Sequence, residues 1–177
     1  GVLAIDDKVH IDAALLEQAH QARAALIVEC TTHEDLNVAV GVSTLRSNTT
    51  GGGNTALGTN TMYNHKTGNY NSAVGYESMF TDTTGSLNTA IGWRSLRYVG
   101  NGYENTALGV GALEFTDSSY ANTAVGRGAM IGTFANTTNL TFNTVMGWYA
   151  GGNMDSVYEA TAIGIQAGYN NRGYQNT

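Results

Sequence analysis

A five-residue motif of Asn, Thr, Ala, an aliphatic residue and Gly recurs along this chain at a fixed 17-residue step, and that step constrains the fold more than any other feature. Copies begin at Asn37, Asn54, Asn71, Asn88, Asn105 and Asn122, each one such step after the last. The next begins at Asn143, where four residues have been inserted; another follows at Ala160 after the regular step. Asn176 and Thr177 look like the start of one more unit, which reads as a fragment of a longer repeat array.

A second half-motif follows each Gly. Two variable residues precede a small residue and then Leu or Met, as in Thr61-Met62, Ser78-Met79, Ser95-Leu96, Ala112-Leu113 and Ala129-Met130. Gly151 and Gly168 replace the Leu or Met in the last two units. A turn-like stretch such as Thr83-Thr84-Gly85 closes the unit. A unit this short cannot hold a helical hairpin, and β-branched residues with frequent Gly make a poor helix. Period-2 alternation fits instead. Thr55 and Leu57 share one face of a strand; Asn54, Ala56 and Gly58 share the other.

The expected architecture is therefore all-β: a parallel β-solenoid or β-roll of 17-residue coils, each with two short strands and two turns, stacked about 4.8 Å apart. Stacking turns each motif position into a ladder. The aliphatic ladder (Val40, Leu57, Val74, Ile91, Leu108, Val125, Met146, Ile163) is expected inside. The Asn ladder (Asn54, Asn71, Asn88, Asn105, Asn122, Asn143) is expected to bond to itself and to turn backbone. The Gly ladder (Gly58, Gly75, Gly92, Gly109, Gly126, Gly147) marks positive φ or close backbone approach. Such a thin core, beside a flat Ala-and-Gly face, predicts three chains packed about a common axis, with a two-fold pair or a lone solenoid as the alternatives.

Residues 1–36 do not fit the repeat, which occupies 37–177. They hold half the acidic residues and no aromatic one. Ile11 to Cys30 is rich in Ala, Leu, Glu and Gln, which predicts a helix or short coiled coil; the alternative is a strand over Ala24 to Glu29 that extends the sheet.

The net charge of −6 and eight scattered basic residues argue against a nucleic-acid partner or an anionic membrane surface. No apolar run is long enough to predict membrane insertion. A lone cysteine permits no intrachain disulfide. The pair Cys30 and His33 is too small a ligand set for a metal, so no metal or cofactor is expected.

The units resemble those of two surface families. Asn88-Thr-Ala-Ile-Gly-Trp-Arg-Ser-Leu96 and Asn105-Thr-Ala-Leu-Gly-Val-Gly-Ala-Leu113 are similar to repeats of bacteriophage tail fibres and tail spikes. The Asn-headed motif also resembles the head repeats of trimeric autotransporter adhesins, whose units are shorter. The resemblance covers about residues 37–177. It implies a trimeric, left-handed parallel β-roll on a virion or cell surface, attached to other fibre or virion proteins and contacting a host receptor, with glycan the expected class. It transfers no catalytic residue, so the chain is expected not to be an enzyme.

All sixteen aromatic residues lie in the repeats. Rings that could stack on sugars include Trp93, Trp148, Tyr149, Tyr103 and Tyr120, against the plainer reading that they pack turns and interchain grooves. The insertion between Met130 and Asn143 supplies a candidate binding loop with Phe134 and Asn136. Two other classes stay open. A Thr ladder at rung spacing could bind ice, but it shares the face assigned to the interior. Glu114 and Asp117 could serve a polysaccharide depolymerase, but such carboxylates more often keep a low-charge fibre soluble.

Overall fold

The computed structural model describes residues 37–116, 118–132, 140–154 and 157–170, together with the backbone of strands β1 (Leu3–Ile5), β2 (Lys8–His10) and β3 (Val28–Glu29). Eight three-residue strands follow: β4 (Val38–Val40), β5 (Thr55–Leu57), β6 (Ser72–Val74), β7 (Thr89–Ile91), β8 (Thr106–Leu108), β9 (Thr123–Val125), β10 (Thr144–Met146) and β11 (Thr161–Ile163). They form one parallel sheet in sequence order, each motif residue paired with its equivalent one unit on: Thr89 with Thr106, Ala90 with Ala107, Ile91 with Leu108. The chain is thus a parallel β-solenoid, and the 17-residue step is its rung.

β3 pairs antiparallel with β4 and covers the outer backbone groups of the first rung. The predicted helix over Ile11 to Cys30 lies outside the described residues except at Val28 and Glu29. There the chain is strand, as in the sheet-extending alternative. β1 and β2 pair with each other, a hairpin that the sequence reading lacks.

The sheet's sidedness is the reverse of the one expected. Ala56, Ala73, Ala90, Ala107 and Ala124 are wholly buried, while Leu57, Val74, Ile91, Met146 and Ile163 are exposed. The alternation holds, but the inward face is the Ala face. A 17-residue coil encloses too little volume for a β-branched side chain on the strand as well as the Leu or Met opposite it. Met62, Met79, Leu96, Leu113 and Met130 fill that interior, so only Ala fits across from them. Strand β10 shows the same trade from the other side. Val145 replaces Ala there, and Gly151 replaces the Leu or Met. A Cβ built on Gly151 would lie 3.1 Å from a Val145 methyl.

The Asn ladder runs down the same interior. Asn105 Nδ2 donates to Asn88 Oδ1 (3.1 Å) and to the Ser119 carbonyl (2.7 Å). Its Oδ1 accepts from the Asn122 backbone N–H (3.2 Å) and from Asn122 Nδ2 (3.0 Å). Each amide therefore joins its neighbours and ties a turn to the strand. The four-residue insertion does not break the column: Asn143 Nδ2 still donates to Asn122 Oδ1 at 3.0 Å. At the Gly ladder both expected demands hold. Gly58 has φ +133°, and a Cβ on it would lie 2.7 Å from the Gly75 carbonyl oxygen.

The second strand expected in each unit is not a strand. Its place is taken by a turn with two left-handed residues, such as Arg94 (φ 56°) and Leu96 (φ 49°). These break the extended path, yet rung-to-rung hydrogen bonds persist: Arg94 N–H donates back to Tyr76 and Leu96 N–H forward to Ala112. Among the described residues, isolated parallel bridges, Tyr103 with Tyr120, Tyr120 with Thr141 and Thr141 with Tyr158, form a second short ribbon.

Candidate functional site

The outward side of the β4–β11 sheet is the most distinctive surface of the chain. Six of the eight rungs turn a Thr and an aliphatic residue outward, as with Thr89 and Ile91 or Thr144 and Met146, with Val38 and Ser72 in place of Thr in β4 and β6. Two corners flank the strand. The leading corner, just before each Asn, carries Tyr70, Leu87 and Phe142. The trailing corner, just after each Gly, carries Val42, Tyr76, Trp93, Val110, Trp148 and Ile165. Of the sixteen large hydrophobic side chains exposed among the described residues, fourteen belong to the aliphatic ladder or to these two corners. Exposed apolar side chains are thus gathered on one face. Such a face, running along eight rungs or about 40 Å and interrupted by charge at Glu104 and Arg127, marks an interaction surface.

Two of the ring candidates sit on that face. Trp93 and Trp148 stand on the trailing corner, 43% and 45% exposed. Tyr149 does not join them. It turns back over the preceding rung, with its ring against Gly128 and edge-on to Trp148 at 4.7 Å. Tyr103 and Tyr120 belong to the separate ribbon before the leading corner, with rings parallel and 5.0 Å apart. Phe142 meets Tyr120 edge-on at 5.9 Å. The structure therefore divides these rings between two sides of the coil. Phe134 and Asn136 lie outside the described residues.

A charged cluster escapes the sequence reading. Glu77 Oε2 lies 3.1 Å from Arg94 Nε and 2.6 Å from Arg97 Nη2, and Glu114 Oε1 lies 4.0 Å from each arginine. Arg94 stacks over Trp93 at 4.1 Å and Arg97 over Tyr98 at 4.5 Å. The signal is present in the spacing: Glu77 and Arg94 stand one repeat apart, as do Arg97 and Glu114, so each pair shares a ladder. Burial raises the pKa of the Glu114 carboxyl above the ordinary range, against the pull of Arg94 and Arg97. Both carboxylates face arginines, an arrangement that orders the rings beside the sheet. Asp117, paired with Glu114 in the depolymerase reading, lies outside the described residues.

A second unforeseen pair is wholly interior. His65 Nδ1 lies 3.7 Å from Asp82 Oδ2, both side chains fully buried one rung apart. His65 Nε2 meets the Gly68 carbonyl at 2.9 Å, and Asp82 Oδ1 accepts the Gly85 N–H at 2.7 Å. Each thus closes its own Gly turn, as Asn48 does for Gly51. Burial is the largest influence on both. It would lower the His65 pKa, but the Asp82 carboxylate and the Gly68 carbonyl outweigh it and raise the value. It raises the Asp82 pKa despite His65. The atoms facing each other, His65 Nδ1 and Asp82 Oδ2, have no other partner. Among the described residues no three His, Cys, Asp or Glu side chains gather as metal ligands, and Cys30 and His33 lie outside them.

Comparison with protein-family models, with curated proteins and with solved structures returns no match to this chain.

Proposed function

We propose that the chain is a structural and receptor-binding segment of a homotrimeric fibre, of the bacteriophage tail-fibre kind, carried on a virion and attaching it to a host-surface glycan or other receptor. The observation that supports this is the apolar outward face of the β4–β11 sheet. Its exposed aliphatic and aromatic rows need a cover, and the cover with the same rung spacing over eight rungs is another copy of the chain. The Ala face, expected at that contact from the sequence, is interior, so the interface moves to the Thr and aliphatic side. The head of a trimeric adhesin on a bacterial surface would use the same face. Within this reading the chain works by assembly and binding rather than by catalysis, and other fibre or virion proteins adjoin it.

With the sheet face covered, Trp93 and Trp148 become interface residues. Receptor contact then falls to the Tyr103–Tyr120 ribbon that precedes the leading corner and to the insertion that holds Phe134 and Asn136. Binding to an array of host-surface glycans tests this. The expected result is binding by the assembled chain that Tyr103→Ala with Tyr120→Ala removes while the particle mass stays unchanged. Binding lost instead on replacing Trp93 would place the receptor on the sheet face and overturn the assignment.

A second reading gains a specific observation. The Thr ladder (Thr55, Thr89, Thr106, Thr123, Thr144, Thr161) is a poor ice-binding array only while its face is placed in the interior, and that face is outward. Ice binding and self-association need the same surface, so thermal hysteresis from a single-chain particle would favour ice, and its absence ends that reading.

A further inference from the structure

The column of rings on the polar side of the coil ends in a step. Asn69, Ser86, Tyr103, Tyr120 and Thr141 hold equivalent positions on successive rungs. Tyr103 and Tyr120 lie parallel, with 7° between their planes and 5.0 Å between centroids, so each covers one face of the other. On its far side Tyr120 meets Phe142 at a near right angle. The second face of Tyr103 looks toward Ser86, whose side chain is too short to cover it, and Tyr103 is 45% exposed.

The surroundings of that step are polar and uncharged. Ser86 Oγ accepts the Asn69 N–H at 3.0 Å, which leaves the hydroxyl proton to donate. Asn69 Oδ1 accepts the Gly52 N–H at 2.8 Å, and Asn101 Oδ1 accepts the Thr84 hydroxyl at 2.8 Å. The Nδ2 groups of Asn69 and Asn101 have no hydrogen-bond partner among the described residues. Gly85 and Gly102 are buried while Thr84 and Asn101 are exposed, so these two side chains share the outward side with Ser86 and Tyr103. An aromatic face attracts the weakly positive C–H hydrogens of a ring face, and amide and hydroxyl groups at its rim bind hydroxyls as donors and as acceptors. A pyranose offers both, a face of C–H bonds and a rim of hydroxyls. Seated over Ser86, its ring would stand one rung or about 4.8 Å from Tyr103, at the spacing the two tyrosines already keep.

We propose that the step between Tyr103 and Ser86 seats one neutral pyranose unit, its C–H face on Tyr103 and its hydroxyls on Ser86, Asn69 and Asn101. This rests on the reading that the Tyr103–Tyr120 ribbon is the receptor-binding side. The named side chains carry no charge and the chain's net charge is −6, which disfavours an acidic sugar. The stack on Tyr120 holds the Tyr103 ring in one plane, so little freedom is lost when a ligand arrives.

Saturation-transfer NMR tests this with methyl glucoside, methyl galactoside and methyl mannoside, and with methyl glucuronide as the acidic counterpart. The wild type should bind at least one neutral probe, and bind it better than the glucuronide. Ser86→Tyr is the decisive variant. Tyrosine is native at two equivalent positions of the column, so the backbone accepts it, and a third ring would fill the step. Ser86→Leu covers the same face and serves if the tyrosine unfolds the chain. Probe binding should vanish in Ser86→Tyr and in Tyr103→Ala, and weaken about threefold in Ser86→Ala. Full binding by a folded Ser86→Tyr or Ser86→Leu overturns the proposal, as does a wild type that binds no neutral probe at high millimolar concentration. Tighter binding of the glucuronide than of every neutral probe overturns the neutral class. In each of these cases, loss of glycan-array binding in Tyr103→Ala leaves the ribbon standing as the receptor side. Array binding unchanged in Tyr103→Ala with Tyr120→Ala overturns that reading and this inference with it.

Discussion

Single residues hold this solenoid together through positions where size and hydrogen bonding are both fixed. Asn105 is the clearest case. Replacing it with Ala removes four hydrogen bonds, among them the buried acceptor of the Asn122 backbone N–H and a donor to the Ser119 carbonyl. The expected loss is about 2–4 kcal/mol, the combined cost of such groups, seen as a lower chemical-denaturation midpoint. A change under about 0.5 kcal/mol would mean that the amide column is ornamental. Ala107 tests the volume limit. Ala107→Val beside Leu113 overfills the interior and should cost about 1–3 kcal/mol. The same valine is native at Val145, where Gly151 makes room, so Ala107→Val should cost less in a Leu113→Gly background than in the wild type.

The buried His65–Asp82 pair makes the third residue-scale prediction. Both folded-state pKa values are raised, so in both cases the folded chain holds its proton more firmly than the unfolded chain. That extra stability is complete below the unfolded values, about 3.9 for Asp and 6.5 for His. It declines as pH rises through each folded value. Glu114, also raised, acts in the same direction on the carboxylate side. Thermal midpoints should therefore fall from pH 5 to pH 8. His65→Val with Asp82→Val, which repeats the native Val99 of the next rung, should remove the part of that slope above pH 6.5. An unchanged slope in the double variant would show that the pair does not carry it.

At the scale of the element, each rung owes its strand to three residues and its outward chemistry to two. Ile91→Lys with Leu108→Lys places charge on outward-facing positions and removes nothing from the core. Circular dichroism should keep the β signature, while the particle mass drops. Loss of fold in these variants would mean that the face is needed for the single chain, contrary to its exposure. At this scale the sequence is legible in one respect and misleading in another. The 17-residue period, the Thr–aliphatic alternation, the Asn bonding and the strain at Gly all follow from residues read in register. Which face points inward does not, because Ala and Val both suit either side of a three-residue strand. The enclosed volume decides it, and that depends on Leu96 and its equivalents reaching across from a left-handed turn. The missing second strand has the same origin. Buried Leu and Met residues with φ near 50° are not foreseeable from propensities that reserve that region for Gly and Asn.

For the whole molecule, the structure is a narrow rod with one greasy side and a low charge, 12% of residues. The candidate site is only partly legible in the sequence. Trp93 and Trp148 lie on the distinctive face, Tyr103 and Tyr120 form a separate stacked ribbon, and Tyr149 packs back on the preceding rung. The Glu77–Arg94–Arg97–Glu114 cluster stays hidden because its residues look scattered until the period is applied to the variable positions as well as to the motif.

The mass of the native particle tests the central claim most directly, measured by light scattering as it leaves a size-exclusion column. The apolar face, covered by two further copies, predicts a particle three times the mass of the 18.6 kDa chain. A stable particle of 18.6 kDa at all concentrations would leave that face bare in solution and contradict the account.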